Sequence, residues 1–292
     1  MTAIETGHDH LQSHSKSSRT TAIGPLIRHP LPSLLAVAAI WCSALMLTPY
    51  DPNATNFLLR LSPPSSEHWF GTDQLGRDVA TRVLCGGLWS IGLALVITSV
   101  GAVIGTMIGL TAGHFGRAAD VVLMRLSDSF FAFPELIAAV TIAGLLGPST
   151  SNMVLALIAV SWMKYARLVR SLSVSISNKD YVLQARLNGL PPALILSRHI
   201  LPNVLPNLLV LWTNGWSRSI LSISGLSFLG FGVQPPNAEW GAMLLDGKTY
   251  MQTAPHLMIF PGLAILFAVL AINLTGDRLR DRLDGRGSKS SD

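Results

Sequence analysis

From Leu88 to Ala112 the chain passes without one Asp, Glu, Lys or Arg, and apolar stretches recur at about Leu31 to Thr48, Phe130 to Leu146, Asn152 to Met163, Val204 to Gly230 and His256 to Leu274. A helix needs roughly 20 apolar residues to cross a bilayer, and its backbone must satisfy its own hydrogen bonds there. The stretch beginning at Asn152 is short alone but continues as one helix into Lys164, Arg167 and Arg170. The pattern predicts an all-α, polytopic membrane protein with about six transmembrane helices. Only 13% of the 292 residues are charged, against roughly 25% in a soluble domain. Cys42 and Cys85 have neither disulfide-framework nor metal-site spacing and read as small apolar residues.

Orientation follows the lysines and arginines beside the span ends. Of the 21, four (Arg60, Arg77, Arg82 and Lys248) fall on one side of the alternating spans, Arg218 lies inside the fifth span, and the rest fall on the other side, which is therefore the cytoplasm. The expected organisation is a cytoplasmic polar tail over 1–30, a first span over 31–48, an extracytoplasmic loop over 49–87, a five-helix core over 88–276 and a cytoplasmic basic tail over 277–292. His8, His10 and His14 sit in a Ser- and Thr-rich tail that reads as solvated rather than metal-binding. The apolar run starts only near Leu31, which argues against a cleaved signal peptide.

Gly101, Gly105, Gly109 and Gly113 put a glycine stripe on one face of the second span, where a neighbouring backbone can approach closely. Pro134 and Glu135 open the third, suiting a first helical turn in which a carboxylate meets the positive end of the dipole. The fifth span is the least uniform. Arg218 near its middle costs roughly 2.5 to 3.5 kcal/mol on insertion scales, so Arg218 and Asn214 are candidates for the wall of an aqueous pathway.

Tyr165 to Asn203 is the longest polar, basic segment between two apolar spans, and Gly189, Pro191 and Pro192 divide it into helix, bend and helix. Tyr181, Val182, Ala185 and Leu187 to Gly189 form a compact amphipathic patch, which a slack linker would not need. A docking role follows for the loop over 164–203.

The row YVLQARLNG with HILPN further on resembles the cytoplasmic coupling loop of permeases of ATP-binding-cassette (ABC) importers. Gly189, Ile200, Leu201 and Pro202 match, as does Ala185. Leu183 stands where that family usually has Glu, and Gln184 where it has the first Ala. With Tyr181 and Arg186, these residues are the ATPase-coupling site that the resemblance implies. GTDQLGRD, with Gly71, Thr72, Asp73, Gly76, Arg77 and Asp78, resembles the signature of the dipeptide, oligopeptide and nickel permease group. An Asp73 and Arg77 pair that stabilises a turn is a better reading there than direct substrate contact. The row AEWGAM is similar to the nickel branch, whereas QPP and HILPN suit dipeptide permeases equally. The resemblance implies a bacterial inner-membrane subunit working with a homologous second permease, two ATP-binding subunits and an extracytoplasmic substrate-binding protein. Nickel or a metal chelate is the expected substrate, with a dipeptide or oligopeptide as the alternative.

Gly247, Lys248 and Thr249 imitate the end of a phosphate-binding loop, but Ala242 stands where its first Gly is required and the segment falls in an outer loop. No catalytic pair, metal set or cofactor motif is present, so the chain reads as a transporter subunit and not an enzyme, with ATP hydrolysis in a separate subunit. Lipid is its surroundings, and nothing points to nucleic acid. A self-contained channel or secondary transporter is the competing class, and it would carry inverted repeats that this chain lacks.

Overall fold

The computed structural model describes residues 50–287 except positions 116 and 132; the expected first span over 31–48 and the tail over 1–30 lie outside the described residues. Helix α1 covers Val79–Phe115, α2 Arg117–Phe131, α3 Glu135–Leu146, α4 Thr150–Ser177, α5 Asp180–Leu187 and α6 Pro192–Ile195. A π-helical turn over Leu196–Ile200 leads into α7 at Leu201–Phe228, followed by α8 at Trp240–Lys248 and α9 at His256–Gly287. Among the described residues four helical runs are long and apolar enough to cross a membrane: α1, α4, the run from α6 through α7, and α9.

The glycine stripe of α1 packs on α4, and the two helices run parallel in a constant register. Gly101 lies on Ser161, Gly105 on Trp162 and Tyr165, Gly109 on Ala166 and Val169, and Gly113 on Ser173. A Cβ at Gly105 would stand 2.6 Å from that of Tyr165, and one at Gly109 2.8 Å from that of Val169. The spacing of four on both helices matches the small-residue contact that lets membrane helices approach closely.

The third expected span, from Phe130 to Leu146, is interrupted. Helix α2 ends at Phe131, and α3 begins only at Glu135. Pro134 has no N–H and disfavours helical geometry at Phe133; its own ψ is 130°. With 12 residues, α3 is about 18 Å long, short of the roughly 30 Å hydrocarbon core. The segment carrying Arg117 and Arg125, expected to be a short loop, is the helix α2.

Helices α2 and α3 are tied to α4 by a ladder of ion pairs. Arg170 donates through Nε to Asp120 Oδ1 at 2.7 Å and through Nη2 to Oδ2 at 2.5 Å. Arg167 Nη2 donates to Asp128 Oδ1 at 2.7 Å, and Lys164 Nζ to Glu135 Oε1 at 3.2 Å. Glu135 is thus both the first residue of α3, as its position suggested, and the partner of a lysine on α4.

Residues 50–78 and 230–255 build a cap at the other end of the bundle, where the structure adds an element that the sequence reading treated as loop. Helix α8 starts at the buried Glu239, whose carboxylate accepts from the N–H groups of Gly241 and Ala242 at 3.0 and 2.9 Å and from the Ser90 hydroxyl at 2.9 Å. Trp240 fixes α8 to α1 by donating its indole N–H to the Val83 carbonyl at 2.8 Å.

Candidate coupling surface and cleft

Helix α5 stands on the bundle by a narrow foot. Val182 and Ala185 are buried in a cluster with Ile176, Ile195 and Ile200, while Tyr181, Leu183, Gln184, Arg186 and Leu187 are exposed. Leu187 is 85% and Leu183 42% exposed, and these two lie four residues apart on one helical face. At Gly189 the chain turns with φ of 76°. The Gly189 N–H donates to the Arg186 carbonyl at 3.0 Å and the Leu190 N–H to the Ala185 carbonyl at 3.2 Å. This pair of bonds is a Schellman ending, whose left-handed residue is normally glycine.

Pro191 and Pro192 then start the next helical piece, and Ile200 is fully buried beneath α5. Leu201 donates its N–H five residues back, to Leu196. Pro202 follows in the first turn of α7, where its missing N–H is tolerated. Asn203 closes the unit: its side-chain NH₂ donates to the His199 carbonyl at 2.7 Å and to the Tyr181 hydroxyl at 3.4 Å.

Beside this loop a cleft of about 790 Å³ opens between α4, α7 and α9. Lys164 and Arg167 line it from α4, Asn203, Asn207 and Asn214 from α7, and Arg280 from α9. Positions 203, 207, 214 and 218 share one helical face, and Arg218 is the next exposed residue along it. Arg218 makes no hydrogen bond or ion pair with the described residues. The serines beside it face the other way. Ser217 is buried and donates to Asn273 Oδ1 at 2.5 Å, and Ser219 is buried against Thr98 with their hydroxyls 2.8 Å apart. The polar patch around Arg218 is therefore two surfaces, one satisfied inside the bundle and one facing the cleft.

The signature residues lie in the cap. Gly71 and Gly76 have φ of 74° and 72°, and a side chain on Gly76 would collide with the Asn56 carbonyl. Thr72 bonds through its hydroxyl to the Leu59 carbonyl and accepts the Ser62 N–H at 2.9 Å. Asp73 accepts from the N–H groups of Leu75 and Arg77 at 2.8 and 2.9 Å and from Arg77 Nε at 2.6 Å. Asp78 takes the Thr81 N–H and hydroxyl at 2.7 Å each, capping α1, and lies 2.9 Å from His68 Nδ1. Asp73, Arg77 and Asp78 are each only 5% exposed, a geometry of turn stabilisation.

Sequence reasoning used Lys164 and Arg167 only to orient the loop, counted Asn207 among the polar residues of the fifth span without making it a candidate, and passed over Asn203 as a lining residue. The four-, seven- and four-residue spacing from Asn203 to Arg218 was the available signal. The partners Asp120 and Asp128 gave none, because their pairing needs the path of α2.

The family profile described as "binding-protein-dependent transport system inner membrane component" matches residues 105–289. A putative peptide transport system permease protein of Brucella suis biovar 1 is 43% identical, over 87% of this chain and 83% of its own. The nickel transport system permease protein of Escherichia coli strain K12 is 39% identical, over 92% of this chain and 95% of its own. Among solved structures, an inward-facing form of the MetNI methionine ABC transporter superposes with a TM-score of 0.56 at 18% identity, covering 69% of this chain and 96% of the other. At that identity the likeness is one of fold.

Proposed function

Since the chain belongs to the family of binding-protein-dependent transport system inner membrane components, as a permease subunit of an ABC importer, we propose that it forms half of a translocation pathway driven by separate ATP-binding subunits. A homologous second permease closes the pathway, two ATP-binding subunits dock from the cytoplasm, and an extracytoplasmic binding protein delivers the solute to the cap. Residues 49–87 lie outside, and the tails over 1–30 and 277–292 lie in the cytoplasm. In the coupling site Val182, Ala185 and Ile200 are the foot. Gly189, Leu201 and Pro202 set the bend, and Tyr181, Leu183, Gln184 and Arg186 are the contact face. The signature residues from Gly71 to Asp78 hold the cap, and Asn214 with Arg218 lines the pathway.

The observation that carries this reading is the exposed apolar face of α5 on a buried foot. Covering Leu187, 85% exposed, is worth close to the about 2 kcal/mol of a leucine fully removed from water, and covering Leu183, 42% exposed, about half of it; Leu183 offers an apolar contact where a carboxylate is usual. Gln184→Cys is expected to crosslink to the ATP-binding subunit and to resist a membrane-impermeant thiol reagent added to intact cells. Labelling from outside overturns the topology; absence of the crosslink in assembled importer overturns the docking. The relatives are named for peptide and for nickel transport, so the solute is a small peptide, or nickel as ion or chelate.

A further inference from the structure

We propose that the cleft carries a carboxylate-binding subsite made by Lys164 and Arg167, with Arg218 one turn outward, so that the transported solute is a carboxylate-bearing small molecule and not a bare divalent cation. This rests on the cleft being half of the pathway.

Among the described residues the lining holds three cations and three asparagines, and no carboxylate, thiol or imidazole. A nickel-like ion needs electron-pair donors and is best held by imidazole, thiolate or carboxylate; ammonium and guanidinium groups repel it. A carboxylate finds what it needs there, because charged N–H donors bind it strongly. The structure holds carboxylates at these two side chains already. Glu135 lies 3.2 Å from Lys164 and Asp128 2.7 Å from Arg167, yet neither acid lines the cleft, and they are 43% and 59% exposed. A solute carboxylate replaces one of them without changing the number of ion pairs. The exchange is close to balanced, as a pathway requires, since binding must be favourable enough to enter and weak enough to leave. Arg218, about 6 Å beyond Asn214 along α7, is the cation that an arriving carboxylate meets first.

The carboxylate can come from a peptide terminus or from an organic chelator around a metal, and one experiment separates them. Inside-out membrane vesicles carry the full chain with Cys42→Ser, Cys85→Ser and the reporter Asn214→Cys. Modification rates are measured with an anionic and a cationic methanethiosulfonate of similar size. The anionic reagent is expected to be favoured by about tenfold over its ratio on a thiol in solution, and adding Lys164→Gln and Arg167→Gln removes most of the preference. Alanylalanine or nickel citrate slows the reaction; alanylalanine amide and nickel chloride do not. Protection by alanylalanine alone assigns the peptide source, by nickel citrate alone the chelate. If Asn214→Cys fails to insert, Asn207→Cys serves. Modification by neither reagent at either position means the cleft is not aqueous and overturns the pathway itself. Modification without anion preference, equal protection by acid and amide, protection by nickel chloride, or protection by none of them leaves the pathway standing and overturns the carboxylate subsite.

Discussion

Two glycines show how differently the same residue is required. At Gly189 nothing stands within 4 Å of an added Cβ, but φ is 76°; only the backbone is demanding. At Gly105 the backbone is ordinary helix, but the Trp162 carbonyl and Tyr165 occupy the space. Gly189→Asn is therefore expected to transport nearly normally, since Asn tolerates the left-handed region, whereas Gly189→Val strains the bend by about 1 to 3 kcal/mol. The valine variant should accumulate in the membrane, and the importer assembled with it should hydrolyse ATP without uptake; normal uptake would show that the bend does not need this geometry. Gly105→Leu acts earlier, by overpacking that costs typically 1 to 3 kcal/mol and more where backbone is the obstacle, and should lower both yield and the Tm of the detergent-solubilised protein. The first requirement was legible, because a Gly between helical pieces ahead of two prolines announces a C-terminal cap. The second was legible only as a stripe. That the stripe meets α4, in register with Ser161, Tyr165, Val169 and Ser173, depends on tertiary packing.

Among elements, α2 is the one whose attachment depends most on charge. Its bidentate contact from Asp120 to Arg170 can be reversed. Arg170→Asp alone sets two carboxylates against each other and is expected to reduce the amount of monodisperse protein recovered from membranes several-fold. Combined with Asp120→Arg it should recover most of the loss; no recovery would mean that the pair does not hold α2. Sequence reasoning saw the basic row Lys164, Arg167 and Arg170 but read α2 as loop, because Arg117 and Arg125 resembled an inner turn and the apolar run from Phe130 resembled a span start. Pro134 was rightly placed at a helix start; the break before it follows from the restriction a proline imposes on its predecessor. Helix α8 was missed for another reason: Glu is a poor N-cap by propensity, and Glu239 becomes one because Ser90 on α1 helps to solvate its buried carboxylate.

Across the whole molecule, close backbone contact joins α1 and α4 into one body, while α5 follows α4 after a two-residue turn and is joined to α7 through a glycine bend and a π-turn. Hydrogen exchange should follow that division, with α1 and α4 between Gly101 and Ser173 the slowest and the amides of Asn188, Gly189 and Leu190, bonded only within the short helix end that carries them, among the fastest; equal rates would deny the division. The architecture was visible in sequence because apolar length and basic asymmetry are coarse signals. The cleft was not, because a groove is made by three helices that lie far apart in the chain. That groove has an open side, and closing it is the part we propose for the second permease. On that proposal the lining is the joint product of two genes: loss of transport through Arg218→Leu should be reversed by second-site changes selected in the gene of the second permease, and exchanging that gene alone for a homologue's should give an importer with altered solute preference.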